Sequence, residues 1–253
     1  MKRAFEFIDE KSHKFWWIET SENKFVVNYG KIDSIGKYEI KEWDSVEECE
    51  KQATKLINSK IKKGYKEVNF DYNNHYYFDD MDYDIDFLTS HPNFREHFTD
   101  EQLYCNCGDE ETPFGSDTGN DVLHIIEEKI RKNKNFSFVD FPKYLLEKEW
   151  GIEYFEPILI TDEKVFAEEL KIKDKGLSRE AIINESDEVV IATAFAQIKI
   201  TGKIDEELKE KALLSLKRVE LIAKICGYGE SEINKQLYND LESFTNKENI
   251  KLN

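Results

Sequence analysis

Between Lys14 and Lys66 the hydrophobic period of the chain changes once, and that change limits what this stretch can become. In the first half Phe15, Trp17, Phe25, Val27 and Tyr29 fall on odd positions, while Lys14, Glu19 and Lys24 interrupt the apolar run. Alternation with aromatic and β-branched residues is the pattern of half-buried strands. The sequence Asn28-Tyr29-Gly30-Lys31 closes a strand, Ser34-Ile35-Gly36-Lys37 reads as a turn, and a third strand runs from Tyr38 to Trp43. After Asp44-Ser45 the period becomes helical, with Val46, Cys49, Ala53, Leu56, Ile57 and Ile61 as one apolar stripe. Ser45 and Glu48 form a capping box, and Gly64 is placed to end the helix. With RAFEFI as a leading strand, the expected unit is a small antiparallel sheet with one helix packed on it.

The chain has 253 residues, enough for one large or two ordinary domains. Its net charge of −17 is unevenly spread. Residues 1–69 hold 14 Lys+Arg against 13 Asp+Glu, which leaves −18 on the remainder. A strongly acidic second half opposes polyanion binding by like-charge repulsion, although a basic patch still acts within a Debye length of roughly 8–10 Å. Lys60, Lys62, Lys63 and Lys66 form such a cluster, at a helix end where the macrodipole also favours lysine. No apolar run approaches the roughly 18–20 residues that span a bilayer, and the start MKRAFE lacks the apolar core of a signal peptide. Four irregularly spaced cysteines (Cys49, Cys105, Cys107, Cys226) fit a reducing compartment, so a cytoplasmic location is expected.

The first 70 or so residues resemble the WGR domain, named for a Trp-Gly-Arg tripeptide and found in DNA-damage-responsive poly(ADP-ribose) polymerases and in bacterial proteins. The likeness rests on the KFWWIE opening, the YGK tripeptide, the SIGKY turn and the helix signature WDSVEECEKQATKLINSKIKKGY. Two motif residues depart, Tyr29 standing for Trp and Lys31 for Arg, while Gly30 is kept. The resemblance implies a flat aromatic surface against a DNA end and a charged fork beside it. Tyr29 retains the capacity to stack, and Lys31 keeps the charge but loses the planar bidentate geometry. It thus marks Tyr29, Gly30 and Lys31, with Lys14 and Lys37 nearby, as the nucleic-acid-binding set. The competing reading makes Tyr29 a core aromatic and Lys31 a solvated turn residue.

Residues 71–87 form an acidic, aromatic segment that reads as a mostly solvated linker, whose aromatics can also pack on the first sheet. Asp82, Asp84 and Asp86 do not make a calcium loop, because the sixth position is Phe87 rather than Gly and the twelfth is Asn93 rather than Glu. Residues 88–253 are expected to form a mainly α-helical acidic domain. Ser90 or His91 caps a helix beginning at Pro92. The spacing of His91, His97, Cys105 and Cys107 argues against a zinc site, and neither metal nor cofactor is expected. In PFGSDTGNDVL two glycines precede a helix, but no Lys-Ser/Thr follows as a phosphate loop requires, and capping by Asp or Asn accounts for the composition. Asp117, Asn120, Asp121 and His124 could converge as a second site, or serve as caps and a surface face. With SHPNFREHF, this block resembles the YfeS-like bacterial proteins, which pair a WGR domain with a second acidic domain. Further helices are expected from Asp140 to Trp150, from Thr161 to Leu170, from Ser178 to Gly202, from Asp205 to Gly227, and from Ser231 onward; the residues from Phe136 to Phe141 read as a strand or tether.

The fold class expected is therefore α+β, a WGR-like sheet and helix followed by a helical acidic domain. No nucleophile elbow, nucleotide fold or distinguishable carboxylate pair is present, so a non-enzymatic protein is expected. Two functions remain. In one, the first domain binds a nucleic-acid end or structured site while the acidic domain recruits or regulates. In the other, the acidic domain binds a basic protein partner and nucleic acid is not bound.

Overall fold

The computed structural model describes residues 1–105, 108–133, 135–174 and 176–247. They divide into two compact units, Met1–Arg95 and Glu96–Asn253. The first is built on an antiparallel sheet of β1 (Lys2–Ile8), β2 (His13–Ser21), β3 (Lys24–Lys31), β4 (Lys37–Glu42) and β5 (Lys66–Val68), in the order β4-β3-β2-β1-β5. Helix α1 (Val46–Lys62) follows β4 and returns the chain to the far edge. It begins as the sequence indicates, with the Ser45 side chain accepting from the Glu48 N–H at 3.2 Å. Cys49, Ala53 and Ile57 are buried, whereas the ends of the expected stripe, Val46 and Ile61, are about half exposed at 46% and 48%.

The register corrects the reading of the odd positions as one set. Ile18 pairs with Val27 and Trp16 with Tyr29, so every pair joins an even to an odd residue. Odd residues of β2 and odd residues of β3 therefore lie on opposite faces. Trp16, Ile18, Phe25 and Val27 join Phe5 in the core beneath α1. Phe15 and Trp17 face the other way, and they too are buried. Both faces of the sheet are covered, so these strands are not half-buried.

The second cover is the segment after β5. Phe70 and His75 lie 5.7 and 5.5 Å from Phe15, and Tyr72 and Tyr77 lie 5.7 and 6.0 Å from Trp17, between ring centroids. Three aspartates of the acidic run are buried here rather than solvated, whereas Asp82 and Asp84 are exposed. Asp79, Asp80 and Asp86 are all under 6% exposed. Asp80 accepts the Ile40 N–H of β4 at 2.8 Å, Asp79 accepts from the Thr89 hydroxyl, and Asp86 pairs with Lys24. Carboxylates can be buried only when they are hydrogen-bonded or paired in this way. The compact unit accordingly runs through residues 71–87 to Arg95, whose guanidinium forks onto Glu19 at 3.0 and 3.1 Å.

The second unit is helical. After α2 (Pro92–His97) come α3 (Glu101–Tyr104), α4 (Asp117–Lys132) and α5 (Phe141–Tyr144), the last continuing as a π-helical turn over Leu145–Trp150. Next are α6 (Glu163–Leu170), a minimal hairpin of β6 (Lys173–Asp174) and β7 (Leu177–Ser178), α7 (Arg179–Thr201), α8 (Glu206–Cys226) and α9 (Glu232–Ser243). Helices α7 and α8 end at Gly202 and Gly227, both in the left-handed region, as their positions in the sequence indicate. Helix α7 is more central than a one-sided stripe allows. From Val189 to Ile200 it is buried all round, and α4, α5, α6 and α8 pack against it. Between α7 and α8, Asp187 and Arg218 form a bidentate pair at 2.8 Å, both nearly without exposure. Arg218 also donates to the Phe155 and Glu156 carbonyls, which holds the extended segment before α6 in place. Among the described residues no helix is long and apolar enough to cross a membrane.

Three measurements test this packing. His75, enclosed by rings and 3.0 Å from the Asn28 side-chain oxygen, has its pKa pushed down by burial to about 4. Its folded value lies below its unfolded value of about 6.5, so the unfolded chain takes up the proton first as pH falls. Unfolding free energy is therefore expected to be complete above pH ~6.5 and to lose up to about 3 kcal/mol on acidification toward pH ~4. An NMR titration should show the His75 imidazole still neutral near pH ~5. Arg218→Met leaves Asp187 as an unpaired buried charge, and urea denaturation should show a loss of about 3–5 kcal/mol.

Candidate nucleic-acid interface

Lys14 near the start of β2 and Lys31 at the end of β3 are direct cross-strand partners, both exposed. Like charges in that relation are destabilising unless something answers them. The preceding pair on the same face is Trp16 opposite Tyr29, and Tyr29 in turn pairs with Lys37 of β4. The corner is completed from the far side by the last turn of α1, where the Lys60 ammonium lies 5.2 Å from the Trp16 ring, 5.8 Å from Tyr29 and 5.1 Å from Tyr65. These are cation–π distances. Burial, then the charge of Lys63, holds Lys60 below the ordinary lysine range, and Lys14 acts in the same direction. Among the described residues, no carboxylate forms an ion pair with Lys14, Lys31, Lys60 or Lys63.

Tyr29 is half-buried, packed against the core under α1, and its hydroxyl donates to Glu39 at 2.5 Å. That bond raises the tyrosine pKa and lowers that of Glu39. Lys37 donates to the same carboxylate at 2.9 Å. Lys37 is therefore internally neutralised, unlike Lys14 and Lys31. Tyr29 thus has a core-packed side as well as a rim position beside unpaired lysines.

Gly30 faces away from the lysines. A β-carbon there would lie 2.7 Å from the Ser34 hydroxyl, 2.9 Å from the Gly36 Cα and 3.3 Å from the Phe15 ring. Gly36, at φ +79°, is equally tight against the Tyr29 carbonyl and the Asn28 amide. The two glycines let the turn from residue 32 to 36 fold flat onto Phe15, which sets the direction of Lys31. Sequence reasoning missed Trp16, Tyr65 and Glu39, and placed Lys60 in the basic cluster at the helix end rather than at the motif corner. The signal for Lys60 was available, because it follows Leu56 by four residues and Ile57 by three, which places it on the sheet-facing side of the helix.

In the second unit Asp117, Asn120, Asp121 and His124 share one stripe of α4, opposite the buried Val122, Leu123, Ile126 and Ile130. Asp117 and Asp121 are exposed, and Asn120 and His124 are half-buried. The helix is capped by Ser116 rather than by Asp or Asn, the Ser116 hydroxyl accepting from Gly119 N–H at 2.9 Å. Gly115 in the preceding loop and Gly119 in the first turn of α4 are both required by close approach. A β-carbon on Gly115 would lie 1.9 Å from the Asp109 carbonyl oxygen, and one on Gly119 2.4 Å from that of Pro113. Of the residues weighed for a metal, His91 and His97 each lie beside a backbone carbonyl, at 3.2 Å from Asn73 and 2.8 Å from Asp240. Cys107 lies outside the described residues.

Residues 1–71 match the WGR domain, a module that is generally nucleic-acid-binding. The whole chain is similar to the Escherichia coli K12 protein YfeS, itself described as uncharacterised, with 44% identity over 248 residues covering 96% of this chain and 98% of that one. The chain belongs to the YfeS family of WGR-domain proteins. Protein YehF of the same organism is 40% identical over 65 residues, 26% of this chain and 24% of its own. A Bacteroides fragilis protein of known crystal structure is 27% identical with a TM-score of 0.27, covering 51% of this chain and 39% of that one.

Because a β-carbon at Gly30 would press on the Gly36 backbone and the packed Phe15 ring as well as the Ser34 hydroxyl, Gly30→Ala should destabilise the chain by about 1–3 kcal/mol in urea denaturation.

Proposed function

We propose that the first unit binds nucleic acid, at an end or another structured site, through the corner formed by Tyr29, Lys31, Lys14 and Lys60. The protein acts as a binding module rather than an enzyme. The observation that carries this reading is the Lys60 ammonium over the Trp16, Tyr29 and Tyr65 rings beside the cross-strand pair Lys14–Lys31, with no carboxylate ion-paired to these lysines among the described residues. Lysines offer point charges to phosphates, and an adjacent ring offers a base a stacking surface worth roughly 1–3 kcal/mol. Lys37, engaged with Glu39, contributes less than its position in the sequence indicates. The acidic second unit limits nonspecific contact with polyanions and serves as the recruiting or regulatory part. Its charge also favours a second reading, in which that unit docks a basic protein.

A fluorescence-anisotropy titration of the full chain with blunt duplex and single-stranded DNA at two salt concentrations separates these readings. Binding should weaken with salt, and Lys14→Gln, Lys31→Gln and Lys60→Gln should each lower the salt slope by about one. Tyr29→Ala should cost about 1–3 kcal/mol, while Lys37→Gln should change little. No binding at low salt, or binding indifferent to Lys31 and Lys60, would overturn the nucleic-acid reading and leave a basic protein as the partner to seek.

A further inference from the structure

In the second unit, the loop from residue 110 to 113 and helices α7, α8 and α9 line a cavity of about 240 Å³ that opens to solvent. Its floor is apolar, made by Ile191 of α7, Leu216, Val219 and Ile222 of α8, and Leu237 of α9. Its mouth is acidic, made by Glu110, Glu111 and Glu188. Glu188 is half-buried, and Glu185 and Glu110 stand near enough for their charges to oppose its ionisation, after the larger effect of burial.

Among the described residues, the side chains donating to Glu188, Glu185, Glu111 and nearby Glu180 are neutral. Glu188 accepts from the Ser116 hydroxyl, Glu185 from Thr118 at 3.0 Å, Glu111 from Ser231 at 2.8 Å, and nearby Glu180 from the Tyr228 hydroxyl at 2.8 Å. Among the described residues, no lysine or arginine forms an ion pair with any of them. The contrast with Asp187, which directly precedes Glu188 in α7 and is matched by Arg218, is sharp. Concentrated like charge at the rim of an apolar hollow is unfavourable unless a cation answers it, and apolar walls strengthen that attraction by excluding water. A purely polar cation would leave the floor unfilled, and a neutral apolar molecule would leave the carboxylates unanswered.

From this complementarity we propose that the cavity binds a small organic cation, an amine or guanidine attached to an apolar body. The apolar part lies against Leu216, Val219 and Leu237, and the cationic group lies at the mouth against Glu188 and Glu110. This site shares no residue with the proposed nucleic-acid corner, so either can fail without the other.

The test is a titration of the full ¹⁵N-labelled chain with phenethylammonium chloride, followed by amide shifts and calorimetry. The same titration is run with 2-phenylethanol, which keeps the apolar body without the charge, and with spermidine, which keeps charge without a compact apolar body. Phenethylammonium should shift the amides of Ile191, Val219 and Leu237 and bind at least about tenfold more tightly than either comparison compound, the scale of one charge-assisted hydrogen bond. Glu188→Gln, which preserves shape and an acceptor for Ser116, should weaken binding about tenfold, with the remaining amide spectrum unchanged. Ala223→Phe, placed to fill the cavity, should abolish it. Equal affinity for the alcohol or for spermidine, shifts confined to the glutamates, indifference to Glu188→Gln, or no binding in the millimolar range would overturn the proposal.

Discussion

The pairing of β2 with β3 is the constraint on which the first unit depends. Because each pair joins an even to an odd residue, the aromatic residues of two neighbouring strands are divided between opposite faces. One cover cannot bury both sets. Helix α1 shelters Trp16, Ile18 and Val27, and the chain must then continue for another stretch to shelter Phe15 and Trp17. The same register brings Lys14 and Lys31 face to face beside Tyr29. Core packing and the charged corner are thus two results of a single alignment.

Electrostatics in the chain follows a division of labour. Most buried charges are answered closely, as in Asp187 with Arg218, Glu19 with Arg95, and Asp86 with Lys24. Two places are not. At the end of the sheet, Lys60 lies on an aromatic surface beside Lys14 and Lys31, and Glu39 there bonds to Tyr29 and Lys37 instead; at the α7–α8–α9 hollow, Glu188, Glu185 and Glu111 accept from hydroxyl groups. Uncompensated charge of one sign beside apolar surface is costly to keep, so such places are where an external ion of opposite sign gains most.

Local chemistry was legible in the sequence and long-range pairing was not. Ser45, Gly64, Gly202, Gly227 and Ser231 act through neighbours a few residues away, and their places in the elements follow from spacing alone. The misjudged features needed knowledge of partners far along the chain. The face on which Phe15 sits depends on its pairing with Gly30. The burial of Asp80 depends on an amide forty residues earlier, and the all-round burial of α7 on helices from both sides of it in sequence. At the candidate interface the motif positions located Tyr29, Gly30 and Lys31. Its other participants stayed hidden because Lys60 reads equally well as a helix-end lysine, and Glu39 as an ordinary solvent-facing residue of an outer strand.

The carboxylate of Asp80 on the Ile40 amide has a further effect. An antiparallel sheet that ends in bare strands offers a template on which other chains can polymerise. Here one margin is occupied by the chain's own aspartate, and the opposite margin, β5, is three residues long. Growth of the sheet by added strands is discouraged at both sides, which protects a strand set rich in Phe, Trp and Val from fibrillar association.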